Sequence, residues 1–126
     1  MKKTVWLSGS RGFVGFYEID ALLHAGYNVE CVSNSPSNNV NTIYIDFSKL
    51  SSIRNALKTY NIPDTFIHLG WGNVYEPHHS SHINQNVQDG INLIDELYNA
   101  GVKRFVLVGS SSEYGDRTGA LHESDS

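Results

Sequence analysis

Cysteine is almost missing from this chain, long apolar runs are missing altogether, and so is any run of basic residues. The single cysteine, Cys31, excludes a disulfide within the chain and a cysteine-based zinc site; it lies in an apolar stretch and is read as core. After Met1-Lys2-Lys3 the apolar run lasts only about four residues before Ser8 and Gly9, too short for a signal peptide or a membrane span. A soluble, cytoplasmic protein is expected. Lysine and arginine number 9 against 13 aspartates and glutamates, for a net charge of −4, which makes nucleic acid and anionic membrane poor partners. No internal repeat or low-complexity segment is present. The 126 residues suit one domain with a real core, but they are few for an enzyme holding both a cofactor site and a substrate site.

What is present begins with Val5-Trp6-Leu7-Ser8-Gly9-Ser10-Arg11-Gly12-Phe13-Val14-Gly15. A short apolar run ends in three glycines spaced three apart, and an amphipathic segment follows, so the pattern reads strand, tight turn, helix. Glycine there takes positive φ and lets backbone approach a pyrophosphate, while the free N–H groups and dipole of the opening helix favour an anion. A turn with a purely structural role is the alternative.

Strand and helix then alternate. A helix is expected over residues 13 to 25, with Phe16, Ile19, Leu22 and Leu23 on one face and Gly26 at its end. Asn28 to Val32 reads as a second strand, residues 33 to 39 as a loop, and Ile43-Tyr44-Ile45 as a third strand ending at Asp46. Positions 34 to 41 make a short link for a parallel crossover, which normally takes a dozen residues or more. The parallel reading is kept, with that crossover as a loop. Asp46 or Ser48 is placed to cap the next helix, where Leu50, Ile53 and Leu57 fall at helical spacing before Pro63. Residues 65 to 69 form a fourth strand, 70 to 82 a long loop, and Ile83, Val87, Ile91, Ile94 and Leu97 or Tyr98 hold a helical period up to Gly101. Residues 104 to 108 form a fifth strand. The expected fold class is α/β, a doubly wound parallel sheet of about five strands, incomplete and Rossmann-like, with the loops after strands one, four and five along one edge.

These residues resemble the extended short-chain dehydrogenase/reductase family, the NAD-dependent epimerases and dehydratases that modify nucleotide sugars. The resemblance rests on Gly9-x-x-Gly12-Phe13-x-Gly15, Asp46, His68-Leu69-Gly70-Trp71, Asn86, and Ser110 four residues before Tyr114-Gly115. It runs in order from residue 4 to about 123 and looks most like the 4-keto reductases of deoxysugar nucleotides. It implies that Gly9, Gly12, Phe13 and Gly15 belong to the pyrophosphate site and that Asp46 with Phe47 meets the adenine. Leu69, Gly70 and Trp71 would line the cofactor cleft, and Ser110 would be the catalytic hydroxyl, with Ser111 and Ser112 beside the substrate. Dehydratases of the family carry an acidic pair at the positions of Ser111 and Ser112, so dehydration is not expected.

In NAD-preferring relatives the second strand commonly ends in an acid that holds the ribose hydroxyls; here Ser33 and Asn34 stand there. Arg11, before the middle glycine, is placed to pair with a 2′-phosphate. NADP is therefore the expected cofactor, with NAD second. The family's Tyr-x-x-x-Lys pair is absent: none of the seven tyrosines has a lysine four residues on. The chain thus looks like the amino-terminal, dinucleotide-binding part of such an enzyme, residues 1–126, without its substrate lobe. A nucleotide sugar is the expected substrate, and a complementary carboxyl-terminal half or a second copy the expected partner. A non-catalytic dinucleotide-binding or regulatory module is the alternative. Neither a metal site at His78, His79 and His82 nor a hydrolase triad of Ser110, His122 and an acid is expected, because no further ligand and no nucleophile elbow accompany them.

Overall fold

A computed structural model of the chain describes residues 2–35, 41–70, 80, 82–109 and 118–125, with only the backbone at 82 and 83. Five strands form one sheet: β1 (Thr4–Ser8), β2 (Asn28–Ser33), β3 (Thr42–Tyr44), β4 (Thr65–His68) and β5 (Arg104–Leu107). Their order is β3-β2-β1-β4-β5 and every pairing is parallel. Helices α1 (Phe13–His24), α2 (Leu50–Thr59) and α3 (Gln88–Ala100) connect them, with a π-helical stretch, His82–Val87, leading directly into α3. This is the expected doubly wound sheet, incomplete and Rossmann-like. The β2–β3 pairing is parallel despite the short link; residues 36–40 of that link lie outside the described residues.

β1 is central, and Val5, Trp6, Leu7 and Ser8 are all buried, as a strand covered on both faces requires. On one face Trp6, Val32, Ile43 and Phe66 pack against Ile53 and Ala56 of α2 and Leu93 and Leu97 of α3. The opposite face is thinner, with Val5, Leu7 and Ile67 meeting Ile19 and Leu22 of α1. Arg54 ties α2 to α3 through two hydrogen bonds to the Glu96 carboxylate, at 2.9 and 3.2 Å.

Helices α1 and α3 turn inward a stripe shifted from the one their most apolar residues predict, whereas α2 keeps two of its three expected positions inside. In α1 the inward positions are Gly15, Ile19 and Leu22, whereas Phe16 and Leu23 are 63% and 53% exposed. They sit one residue off the stripe, about 100° around the helix. In α2, Ile53 is buried and Leu57 packs against the core as expected, with Ala56 buried beside them, and only Leu50 is exposed. In α3, Leu93 and Leu97 are buried, while Val87, Ile91 and Tyr98 face outward. The expected capping of α2 differs too. Lys49 occupies the cap position without a side-chain bond, and the Asp46 carboxylate instead accepts the Ser48 N–H at 3.0 Å in a local turn. α1 and α3 both end in Schellman turns, Tyr27 N–H to Leu22 and Val102 N–H to Leu97, each at 3.1 Å, with Gly26 and Gly101 at positive φ.

The Trp6 indole is fully buried, and its Nε1–H has no hydrogen-bond partner among the described residues. An unsatisfied buried donor costs about 1–3 kcal/mol. Trp6→Phe removes that cost as well as some packing volume, so urea unfolding is expected to shift by less than about 1 kcal/mol, against about 3–5 kcal/mol for Trp6→Ala. Comparable losses in both variants would show that the indole contributes more than its volume.

Candidate functional site

The turn after β1 is shaped by the residues that crowd it. Gly9 has φ of +73°, and a Cβ there would lie 2.8 Å from the Leu69 carbonyl carbon and 2.9 Å from the Gly70 nitrogen. A Cβ at Gly15 would overlap the Gly9 carbonyl oxygen and sit 2.8 Å from Ser10 Cα. Both glycines are demanded by the protein's own packing. Gly12 is not: its φ is −76°, and a Cβ would meet only the Gly9 oxygen, at 3.3 Å. It stands at the start of α1, where no side chain caps the first N–H groups. Those donors and the helix dipole remain available to an anion, and the missing side chain leaves room for it.

Ser8 locks this turn to the loop after β4. Its buried hydroxyl oxygen accepts the Leu69 N–H at 3.1 Å and the Gly70 N–H at 3.0 Å, and it lies 2.6 Å from His68 Nδ1. With two donors already on the oxygen, its own proton goes to Nδ1, which makes His68 the neutral Nε2–H tautomer. Phe66 stacks on the ring, Phe47 meets it edge-on, and burial pushes its pKa down. His68 is thus a hydrogen-bonded, half-buried histidine at the end of β4 that also forms part of the cleft wall.

A cleft of about 480 Å³ opens along these carboxyl ends, within the usual range for a small-molecule site. Gly9, Arg11 and Gly12 line it from the turn, and Ser33 and Asn34 from the end of β2. Asp46 and Phe47 line it after β3, and Leu69 and Gly70 after β4. Phe13 and Gly15 do not: the Phe13 ring is 82% exposed against Tyr17, and Gly15 packs under the turn. Trp71, Ser110, Ser111 and Ser112 lie outside the described residues, as do His78 and His79. No group of three or more potential metal ligands occurs among the described residues, and no described helix is long and apolar enough to cross a membrane.

Three charged groups line the cleft. The Arg11 guanidinium donates to Ser33 Oγ at 2.9 Å, bridging the turn to β2, and no carboxylate pairs with it among the described residues. Asp46 Oδ1 accepts from Ser48 N at 3.0 Å and Ser48 Oγ at 2.6 Å, and these bonds hold its pKa below the ordinary value. Asp89 lines the wall from α3; burial, then the charge of Asp46, pushes its pKa up. Asp89, with its neighbours Gln85 and Gly90, escaped the sequence reading because Val87 and Ile91 suggested the inward face. The signal was a different stripe: Asn86, Gly90, Leu93 and Leu97 run polar and small at the cleft, then apolar in the core.

Burial disfavours the charged His68 ring, and protonation would also break the Ser8 O–H bond, so the folded state takes up this proton less readily than the unfolded chain, whose pKa is near 6.5. The resulting stability is fully present above that value and is lost as pH falls through it toward the depressed folded pKa. Urea midpoints should therefore fall between about pH 7 and pH 5, and His68→Asn, whose Oδ1 can replace Nδ1 as acceptor, should flatten that part of the profile. An unchanged slope in the variant would assign the loss to other groups.

Comparison with known proteins follows this geometry. Residues 5–126 match the family described as "NAD dependent epimerase/dehydratase family". Among solved structures, the chain is similar to a short-chain dehydrogenase/reductase superfamily protein from Agrobacterium tumefaciens with bound NAD. The TM-score is 0.76 at 23% identity, covering 98% of this chain and 38% of that one. Similarity also extends to ADP-L-glycero-D-manno-heptose-6-epimerase from Helicobacter pylori, at TM-score 0.78 and 17% identity, over 98% of this chain and 44% of that one. UDP-glucose 4-epimerase from Thermotoga maritima, solved with UDP-glucose, matches at TM-score 0.68 and 20% identity, over 94% and 41%. No curated protein gives a significant match. The chain spans less than half the length of these three structures, whose likeness is one of fold. With the family match over nearly all of its residues, the chain belongs to the NAD dependent epimerase/dehydratase family.

Proposed function

We propose that this chain supplies the dinucleotide-binding half of an oxidoreductase or epimerase acting on a nucleotide sugar, with 4-keto reduction or epimerisation by hydride transfer as the reaction. The observation that carries this reading is the uncapped start of α1 at Gly12, beside a cleft of about 480 Å³ lined by the glycine turn and the ends of β2, β3 and β4. In this reading the pyrophosphate lies against Gly9, Gly12 and the first N–H groups of α1, and the adenosine lies toward Asp46 and Phe47. The bound nicotinamide cofactor would supply the hydride.

NADP is the preferred form within this NAD-dependent family. Arg11 reaches the end of β2 without a carboxylate partner, and Ser33 and Asn34 there present no negative charge to a 2′-phosphate. Ser110 would hydrogen-bond the sugar carbonyl as its oxygen gains alkoxide character, with Ser111 and Ser112 beside it and Trp71 on the cofactor. Because no tyrosine in this chain is followed four residues on by a lysine, the general acid of the reaction is left to the rest of the enzyme. By itself the chain is expected to bind cofactor without turning over a nucleotide sugar.

Calorimetric titration with NADPH and NADH tests this. Wild-type protein should bind NADPH more tightly, and Arg11→Ala should weaken NADPH by about tenfold while leaving NADH nearly unchanged. Equal losses for both forms would remove Arg11 from the 2′-phosphate site. Gly12→Ala should keep the melting temperature within a few degrees yet weaken both forms by at least about tenfold, since its Cβ enters ligand space rather than protein. Absence of any dinucleotide binding by the wild-type chain would overturn the proposal.

A further inference from the structure

The cleft is electrically two-ended. At the glycine turn, the uncapped start of α1 and the Arg11 guanidinium favour an anion. Between the end of β3 and α3, the charged groups on the wall are two carboxylates, Asp46 and Asp89, and among the described lining residues no cation joins them. A phosphate finds repulsion there. A group rich in N–H donors finds acceptors.

The two carboxylates are not equivalent. Asp46 has one oxygen engaged by both Ser48 donors, and the other faces Lys49 at 3.9 Å. No hydrogen bond or ion pair among the described residues engages the Asp89 carboxylate, although it is half-buried. An acid in the first turn of a helix is ordinarily explained by the free N–H groups and the dipole of that end. That explanation is weak for Asp89. Its helix is continued backward by the π-helical stretch, and Val87 already has helical backbone, with φ −66° and ψ −48°. A partly desolvated carboxylate in a cleft wall, with no protein donor among the described residues, is a ready acceptor for a ligand N–H.

We infer that Asp89 selects the base of the bound dinucleotide, its carboxylate accepting one hydrogen of the adenine 6-amino group while Asp46 accepts the other. The inference rests on the dinucleotide-binding reading above. The amino group carries two hydrogens, one for each carboxylate, and apolar Phe47 lines the cleft beside Asp46. A 6-oxo purine would bring a third acceptor to the same place with no donor to satisfy it. Sites built around a ligand N–H discriminate strongly against analogues that lack it.

The test compares NADP with its hypoxanthine analogue, titrated into the wild-type chain, Asp89→Asn and Asp89→Ala, with thermal melts confirming that each variant folds. Wild-type protein should prefer the adenine form by at least about tenfold. Asp89→Asn, whose amide can donate or accept, should reduce that preference below about threefold. Asp89→Ala should weaken the adenine form and leave the hypoxanthine form unchanged or tighter, a gain that loss of a purely structural residue would not produce. Tight binding of both dinucleotides by the wild type, or an unchanged ratio in both variants, overturns the role of Asp89 and leaves dinucleotide binding standing. Failure of the wild type to bind either one overturns both readings.

Discussion

At the carboxyl end of β1 a single buried hydroxyl controls how closely two strands and their loops run together. The Ser8 oxygen takes two backbone N–H groups of the segment after β4, and its proton goes to the His68 ring. Those bonds draw Leu69 and Gly70 so near the glycine turn that position 9 has no room for a side chain. Gly15 then presses α1 onto the same turn from the other side. The result is a rigid floor under the uncapped helix start. Among the described residues no side chain caps the first N–H groups of α1 above it.

The sheet and the turn were readable from the sequence because their signals are local. Four buried residues in a row announce a strand covered on both faces, and glycines placed directly between strand and helix announce a phosphate-type turn. The helix faces were harder. Apolarity alone pointed to Val87 and Ile91 in and before α3 and to Phe16 in α1, yet the cleft and core side of α3 runs through Gly90, Leu93 and Leu97, and that of α1 through Gly15, where the helix approaches the turn so closely that a side chain would not fit. Asp89 was hidden for the same reason, since its position on the wall follows from that stripe and from no pattern around residue 89 itself. That Asp46 stands at the end of β3 beside the cleft was legible, but not its local task, where Ser48 turns its carboxylate into part of a backbone turn.

The two faces of the sheet carry different loads. Beneath α2 and α3 lies a continuous core reaching from Ile43 to Leu97, closed at the surface by the Arg54–Glu96 pair. The face under α1 holds three buried strand residues, and the helix leaves Phe13, Phe16 and Tyr17 outside as an edge-to-face aromatic group. Asp46, Asp89 and His68 all stand on or beside the thick core, so that end of the cleft has the firmer support. The end at the glycine turn depends instead on turn geometry and on the Ser8 bonds.

Those bonds also set an order of events. Ser8 and His68 are separated by 60 residues along the chain, and β1 gains its second neighbour only when β4 arrives. Closing so long a loop costs conformational entropy before any contact between the two strands compensates it. While the chain is being synthesised, the earlier β1–β2 pairing and α1 can form first, leaving the glycine turn without the segment that holds it. The site therefore matures late, when the fourth strand docks, although the turn that founds it is made before that strand.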